Sequence, residues 1–502
     1  MNRIPGASVP TPQVENLAAV GYNEAKTNRR EGSAVSEKKK PLHNPYLPPW
    51  EYIPDGEPHP FEGRVYVYGS HDRFHGWAYC LNDYVCWSAP EDDLSDWRCE
   101  GVIYRKEQDP DNREGWQCLY APDVTRGPDG RYYLYYVLDH QDIVSVAVCD
   151  TPAGNYEYYG HVCYPDGTLL GKRPGDDPQF DPAVLTEGEK TYLYTGGVCH
   201  RFEKEKGGAM ATVLDRDMLT VREGPVFVVP SAKTSAGTGF EGHEFFEASS
   251  IRKLGELYYF VYSSVWMNEL CCAVSREPLG GFAYIGVLVS NSDWGVGGWK
   301  DPEKRAYVGG NNHGGLLELG GRRYIFYHRH TDGTEFSRQG CLERLTVLPD
   351  GTMPQAEMTS NGGGEPFEGR GEFPAWLACN LFWEDRKPDR QNPAPPRITM
   401  DGRDGDEESP YVAGITDGVT VGFKYFRCEG VKKITLRTRG YAGGCFEVRT
   451  SPEGEVLGTV PLAFRNIWTP FSGKVSVPDG VHALYFTYRG PGCAMLASFI
   501  LE

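Results

Sequence analysis

One recurrence constrains this chain more than any other feature. A turn carrying an acid, or in the last unit a histidine, is followed, about ten residues on, by a Tyr-rich apolar strand. The turn Tyr52-Ile-Pro-Asp-Gly-Glu-Pro58 precedes Arg64-Val-Tyr-Val-Tyr68, and Tyr120-Ala-Pro-Asp-Val124 precedes Arg131-Tyr-Tyr-Leu-Tyr-Tyr136. Gln179-Phe-Asp-Pro182 precedes Thr191-Tyr-Leu-Tyr-Thr195, and Phe246-Glu-Ala248 precedes Leu257-Tyr-Tyr-Phe-Val-Tyr262. Asn311-Asn-His-Gly314 precedes Arg323-Tyr-Ile-Phe-Tyr-His328. Each unit then carries a further strand, and the unit returns roughly every 60–70 residues. Strand-rich units at a fixed period are the signature of a β-propeller, here with five blades over residues 43–351. The first strand of a blade lies nearest the axis, so the residues just before it converge on one face. That places Asp55, Asp123, Asp181, Glu247 and His313 at equivalent positions around one pocket.

The rest of the chain is consistent with an all-β protein. Tyr (31), Gly (61) and Pro (37) are abundant, which favours short strands and turns over helices. After residue 351 the repeat stops. Residues 352–377, with Asn361-Gly-Gly-Gly364, read as a linker, and 378–502 as a β-sandwich of short alternating strands. The linker's Glu365-Pro-Phe367 and Phe373-Pro-Ala-Trp376 are expected to pin it to the propeller. Trp468, Tyr411 and Tyr425 could line a sugar groove, but a sandwich needs aromatics for its own core, so it is expected to act mainly as a structural partner. Residues 1–42 form a polar tail without an apolar leader, and no stretch is long enough to span a membrane. A net charge of −18 argues against nucleic acid and anionic membranes as partners. The 14 cysteines have no metal-ligand spacing and read as reduced core residues, which points to the cytoplasm. Oligomeric state is not legible.

The motifs resemble glycoside hydrolase family 43. Pro54-Asp55 before a Tyr-rich strand, Ala121-Pro-Asp-Val124 and Glu247-Ala-Ser249 match its three acidic motifs. The segments Trp87–Trp97 and Ala147–Gly154 are also similar to it, and the C-terminal part is similar to family 6 carbohydrate-binding modules. The resemblance implies an inverting hydrolase. One carboxylate draws a proton from water while an acid across the sugar protonates the leaving oxygen. It implies Asp55 as general base, Glu247 as general acid and Asp123 as the residue that orients the acid and keeps its pKa raised. Glu57 and Glu244 are the nearby competitors. It further implies His313 near an axial cation, often Ca²⁺, with the contact running through water, and Arg338 on sugar hydroxyls. Asp181, Trp77, Phe74, Trp266 and His71 are candidates for substrate binding. The activity implied is removal of terminal α-L-arabinofuranosyl or β-D-xylosyl units from pentose-containing oligosaccharides. An endo-arabinanase and a non-catalytic glycan-binding propeller remain as alternatives.

Overall fold

The segment Tyr132–Tyr136 reads Tyr-Tyr-Leu-Tyr-Tyr, and every side chain in it is buried. Alternation along a strand sends these side chains to opposite faces. Tyr132, Leu134 and Tyr136 pack with Tyr66, Tyr68 and Tyr104 on one side. Tyr133 and Tyr135 pack with Val184, Leu193 and Leu214 on the other. A sheet covered on both faces needs apolar residues at both parities, and tyrosine fills that role if its hydroxyl finds a partner. Tyr136 donates to Asp109 Oδ2 (2.6 Å) and Tyr135 to the Met218 carbonyl (2.7 Å). Each such ring removes enough apolar surface to stabilise the fold by roughly 4–6 kcal/mol before entropy is counted.

The computed structural model describes residues 39–197, 207–296, 306–349, 351–383 and 396–502. Residues 1–38, nearly all of the predicted polar tail, lie outside the described residues. Five antiparallel sheets form the propeller. Blade 1 runs Glu57–Phe61, Arg64–Tyr68, Tyr84–Pro90, Arg98–Tyr104; blade 2 runs Asp123–Arg126, Tyr132–Tyr136, Ser145–Cys149, Glu157–His161. Blade 3 runs Ala183–Glu187, Lys190–Thr195, Gly208–Leu214, Val221–Pro230; blade 4 runs Phe245–Leu254, Leu257–Ser264, Glu269–Ser275, Ala283–Ser290. Blade 5 has three strands, Leu316–Leu319, Arg322–His330 and Arg338–Leu345. The first strand of every blade touches the first strand of the next, and the fifth touches the first, so the ring is closed. Residues 44–46 lie along the outer edge of blade 5. Tyr46 N–H donates to the Gly340 carbonyl and the Asn44 side chain pairs with both backbone groups of Leu342.

Two six-stranded sheets form the β-sandwich. It starts earlier than the sequence pattern suggests. Phe367–Glu368 pairs in parallel with Thr420–Cys428, and Gly371–Pro374 pairs with Ala494–Leu501. The predicted linker 352–377 is therefore structured, because its Phe367 and Phe373 are needed in the sandwich core against Phe426 and Phe499. Its Trp376 end meets the propeller, and so does its first half, with Met358 N–H on Asp293 and Thr359 on Glu343. Arg329 of blade 5, itself 1% exposed, donates to the carbonyls of Trp376 and Ala378 (both 2.9 Å), and Ala356 N–H donates to the Leu288 carbonyl. Among the described residues there is no α-helix, no disulfide, and no helix long and apolar enough to cross a membrane.

Candidate active site

In blades 1 and 3 the chain makes its approach to the axis two residues before the first strand. Asp55 precedes Glu57–Phe61 and Asp181 precedes Ala183–Glu187, each by two residues. Both have left-handed backbone (φ 57° and 43°), which turns the carboxylate toward the axis before the strand begins. The same offset in blade 2 falls on Ala121. A bulge in blade 4 gives Glu247 the corresponding place, and blade 5 supplies His313. Asp55, Ala121, Asp181, Glu247 and His313 all line one cavity of about 240 Å³ at the axis. Its walls come from loops: Tyr79 and Cys80 from blade 1, Tyr120, Leu138 and His140–Asp142 from blade 2, Phe180, Met267, Asn311 and Asn312. His328 and Arg338 of blade 5 complete it.

Asp123 is not part of this cavity. Its strand begins at Asp123 itself, so the carboxylate sits one layer deeper, at the level of Glu57. There it is fully buried, with Oδ1 accepting from His59 (2.6 Å) and Val124 N–H (2.8 Å) and Oδ2 from Val184 N–H (2.7 Å). A carboxylate with these three partners holds adjacent blades together and has no path to a substrate. The acid that does lie beside Glu247 is Asp181. Burial, then the charges of Glu247 and Asp55, push its carboxyl well above the usual range.

Asp55 has the opposite electrostatics. Burial alone would raise it, but Arg338 and His328 outweigh burial and hold it well below the usual carboxylate range. Arg338 Nη1 donates to Asp55 Oδ1 at 3.0 Å. His328 Nε2 lies 2.7 Å from the Asn311 carbonyl, an acceptor only, so Nε2 carries hydrogen. Nδ1 lies 3.3 Å from both the Asp55 backbone nitrogen and Asp55 Oδ1, and a proton there favours the carboxylate. Arg338 is itself fixed by Asp72, whose Oδ2 takes Nε (2.8 Å) and the backbone N–H (3.0 Å) while Oδ1 takes Nη2 (3.0 Å). With Cys80 Sγ on Nη2 (3.6 Å), one Nη1 hydrogen is left for a sugar hydroxyl.

The remaining candidates divide. Phe74 is buried against Tyr52 and Met400 and does not reach the cavity. His71 is bound between Glu51 (3.1 Å) and the Asp83 carbonyl (2.8 Å), and its neighbour Asp72 is the one that serves the site. Trp77 is 80% exposed and outside the cavity lining. Trp266 is also outside it, although the adjacent Met267 is inside. Its indole N–H is tied to the Gly242 carbonyl and its ring packs edge-on to Trp294. Glu57 does not line the cavity either. His313 does, with Nδ1 3.9 Å from Asp181 Oδ2 and Nε2 3.7 Å from Glu57 Oε1. Burial lowers its pKa to about 4, so its ring is neutral.

Glu57, His59 and Asp123 form the group on the axis that a metal ion could use. The position among their donor atoms is filled by this chain. Arg252 Nη2 lies 2.6 Å from Glu57 Oε2, 3.0 Å from the Pro58 carbonyl and 3.2 Å from His59 Nε2. Calcium needs about 6–8 oxygen ligands, and here one carboxylate oxygen, Glu57 Oε1, remains beside an imidazole and a guanidinium. The residues around His313 do not fit Ca²⁺.

Comparison with known proteins agrees with this architecture. Residues 57–353 match the glycosyl hydrolases family 43 model. A "xylosidase/arabinosidase" of Thermoclostridium stercorarium is 63% identical over 470 residues, covering 92% of this chain and 99% of the relative. A "xylosidase/arabinosidase" of Bacteroides ovatus is 29% identical over 315 residues, covering 56% and 87%. Among solved structures, the GH43_1 enzyme from Xanthomonas citri complexed with xylose superposes with a TM-score of 0.50 at 22% identity, covering 63% of this chain and 93% of that one, a likeness of fold. With a family model spanning more than half the chain and a relative this similar over nearly its whole length, the chain belongs to glycosyl hydrolase family 43.

Proposed function

We propose that the chain is an inverting exo-glycosidase that removes terminal α-L-arabinofuranosyl or β-D-xylosyl units from pentose-containing oligosaccharides. The observation that carries this is the convergence of Asp55, Asp181 and Glu247, from blades 1, 3 and 4, on one small cavity. At about 240 Å³ it is below the roughly 300–1,000 Å³ typical of drug-sized ligands, which suits a single sugar ring at the bottom of a pocket. The names of the relatives supply the pentose class.

The two reacting carboxyls need opposite protonation. Asp55, held ionised by Arg338 and His328, is suited to take a proton from the attacking water as the sugar–oxygen bond breaks. Asp181 and Glu247 crowd like charges and together retain a proton. Ala248 N–H donates to Asp181 Oδ2 (2.9 Å), which favours the carboxylate there and leaves the proton to Glu247 as general acid. Asp181, in place of Asp123, is then the acid that orients and tunes Glu247. No step runs through a metal. The deciding experiment follows hydrolysis of nitrophenyl pentosides and short xylo- and arabino-oligosaccharides by proton NMR. The first-formed sugar should have the inverted anomeric configuration, and a retained configuration would refute the mechanism. Glu247→Gln should lose about 100-fold or more on oligosaccharides and much less on nitrophenyl leaving groups, which need no protonation.

A further inference from the structure

We propose that Arg252 is the resident cation of the propeller axis, so that this enzyme is built to run without the divalent ion its fold could otherwise hold there. The inference rests on the reading of Asp55, Asp181 and Glu247 as the reacting carboxyls.

Beneath those carboxyls lies a second ring of axial positions, two residues further along the chain in each blade: Glu57, Asp123, Ala183, Ser249 and Gly315. Glycine at 315 is required, because a Cβ there would come within 2.4 Å of Glu57 Oε2. Space is thus made for the Glu57 carboxylate on the axis. Two buried carboxylates in one ring repel each other, and each loses hydration. They need a positive charge between them, and the described structure provides it from blade 4. Arg252 Nη2 donates to Glu57 Oε2 (2.6 Å) and to the Pro58 carbonyl (3.0 Å), oxygens that an ion there would use, and lies 3.2 Å from His59 Nε2, whose hydrogen goes to Asp123. Nη1 is anchored on the Ile251 carbonyl (2.7 Å), which fixes the guanidinium plane. The fork also satisfies Ser250's partner, since Glu57 Oε2 accepts from Ser250 Oγ (3.0 Å) as well.

The consequence for the cavity is positional. With Oε2 taken by Arg252 and Ser250, Glu57 presents Oε1, which has no hydrogen-bond partner, toward His313 Nε2, also without one, at 3.7 Å. His313 in turn stands 3.9 Å from Asp181. Arg252 therefore acts on the reacting carboxyls through Glu57 and His313, as a positioning residue, and touches no substrate.

Metal content and kinetics of the purified full chain test this. Wild type dialysed against EDTA should contain far less than one equivalent of Ca²⁺, Mg²⁺ or Mn²⁺, and its kcat/KM and Tm should not respond to adding them. Arg252→Ala opens the donor set. Its metal-free kcat/KM should fall about 10- to 100-fold, the usual effect of losing a group that orients a reacting residue. Added Ca²⁺ should restore part of the activity and raise the variant's Tm, with no Tm change in wild type. Arg252→Lys, which keeps a charge, should stay the more active of the two and bind no metal. If Arg252→Ala does not fold, wild-type metal content and Arg252→Lys still decide. Stoichiometric metal in wild type, removed by EDTA together with activity, would overturn the proposal. So would an Arg252→Ala enzyme with wild-type turnover and pH profile in EDTA. Failure of the catalytic reading would show separately, as a Glu247→Gln enzyme fully active on oligosaccharides.

Discussion

Arg338 Nη1 and Asp55 Oδ1 are 3.0 Å apart, both buried, and this ion pair fixes the charge of the proposed base. The depressed carboxyl contributes stability above its unfolded value of about 3.9, which is lost as pH falls through the folded value. Asp55 is thus ionised across the working range, and the acid limb of kcat/KM in wild type is not its titration. Arg338→Lys keeps a charge but cannot hold Asp72 through two atoms and Asp55 with a third. We predict that its acid limb moves up toward neutrality, kcat/KM falls about 100-fold, and the melting temperature at neutral pH falls as the stability carried by the depressed carboxyl is lost. A pH–rate profile unchanged in shape would refute the role given to the pair.

The Asp181–Glu247 pair, which keeps one shared proton, is pushed the other way, so its sign is reversed. A carboxyl with a raised folded pKa binds more protons folded than unfolded. Stability then declines as pH rises from its unfolded value toward its folded one. Asp181→Asn removes that decline. The variant should lose less melting temperature than wild type between pH 5 and pH 8, and its turnover should drop about 100-fold, as for loss of a group that tunes a general acid. The alkaline limb of kcat/KM should move down, since a negative charge near Glu247 is gone. Parallel melting curves for the two proteins would contradict this.

Asp123→Asn should behave differently from both. The amide can keep one acceptor, but its NH₂ meets the Val184 N–H that Oδ2 now accepts, leaving a buried donor unpaired at a cost of about 1–3 kcal/mol. The expected result is a lower melting temperature with the pH profile retained in shape. A shifted alkaline limb with unchanged stability would return Asp123 to the catalytic group.

Much of this site was legible before any coordinates. The spacing of the Tyr-rich strands gave the blade count and put Asp55, Glu247 and His313 on one face. The slip to Asp123 has a physical cause. Pro122-Asp123 imitates the Pro54-Asp55 turn, yet the strand begins on Asp123 and not two residues later, so the side chain enters the deeper ring. Counting the offset from each strand start would have chosen Ala121 in blade 2 and left Asp181 as the third acid. Arg252 was unreadable because nothing local marks a strand arginine as axial. The cavity walls, such as Tyr79 and His140, come from loops whose course no periodicity records. The sandwich start was missed because Phe367 and Phe373 sit among glycines that read as a linker.

The sandwich bears on activity through one residue. Asp404 lies in a sandwich loop, and its Oδ1 accepts from Phe74 N–H (2.7 Å) while Oδ2 accepts from Asn82 Nδ2 (3.1 Å). These bonds clamp both ends of the blade 1 loop that runs from Asp72 to Asn82. That loop carries Tyr79 and Cys80 into the cavity wall and holds Asp72 against Arg338. Nearby, Thr399 Oγ1 donates to Asp332 Oδ1 (2.7 Å) and Met400 packs on Phe74, so the fold survives loss of the clamp. Asp404→Ala should therefore leave the melting temperature nearly unchanged and lower kcat/KM about 10-fold or more, the scale seen when a group supporting a reacting residue is lost. Removing the chain from residue 367 onward is a different matter. It strips Lys424 from buried Asp293 (3.0 Å) and the Trp376 and Ala378 carbonyls from Arg329. It also uncovers Leu288, Val289, Tyr307 and Ile325, propeller residues that share one apolar core with the sandwich, so the truncated propeller should be insoluble. A soluble, active truncation would show that the clamp and the interface are dispensable.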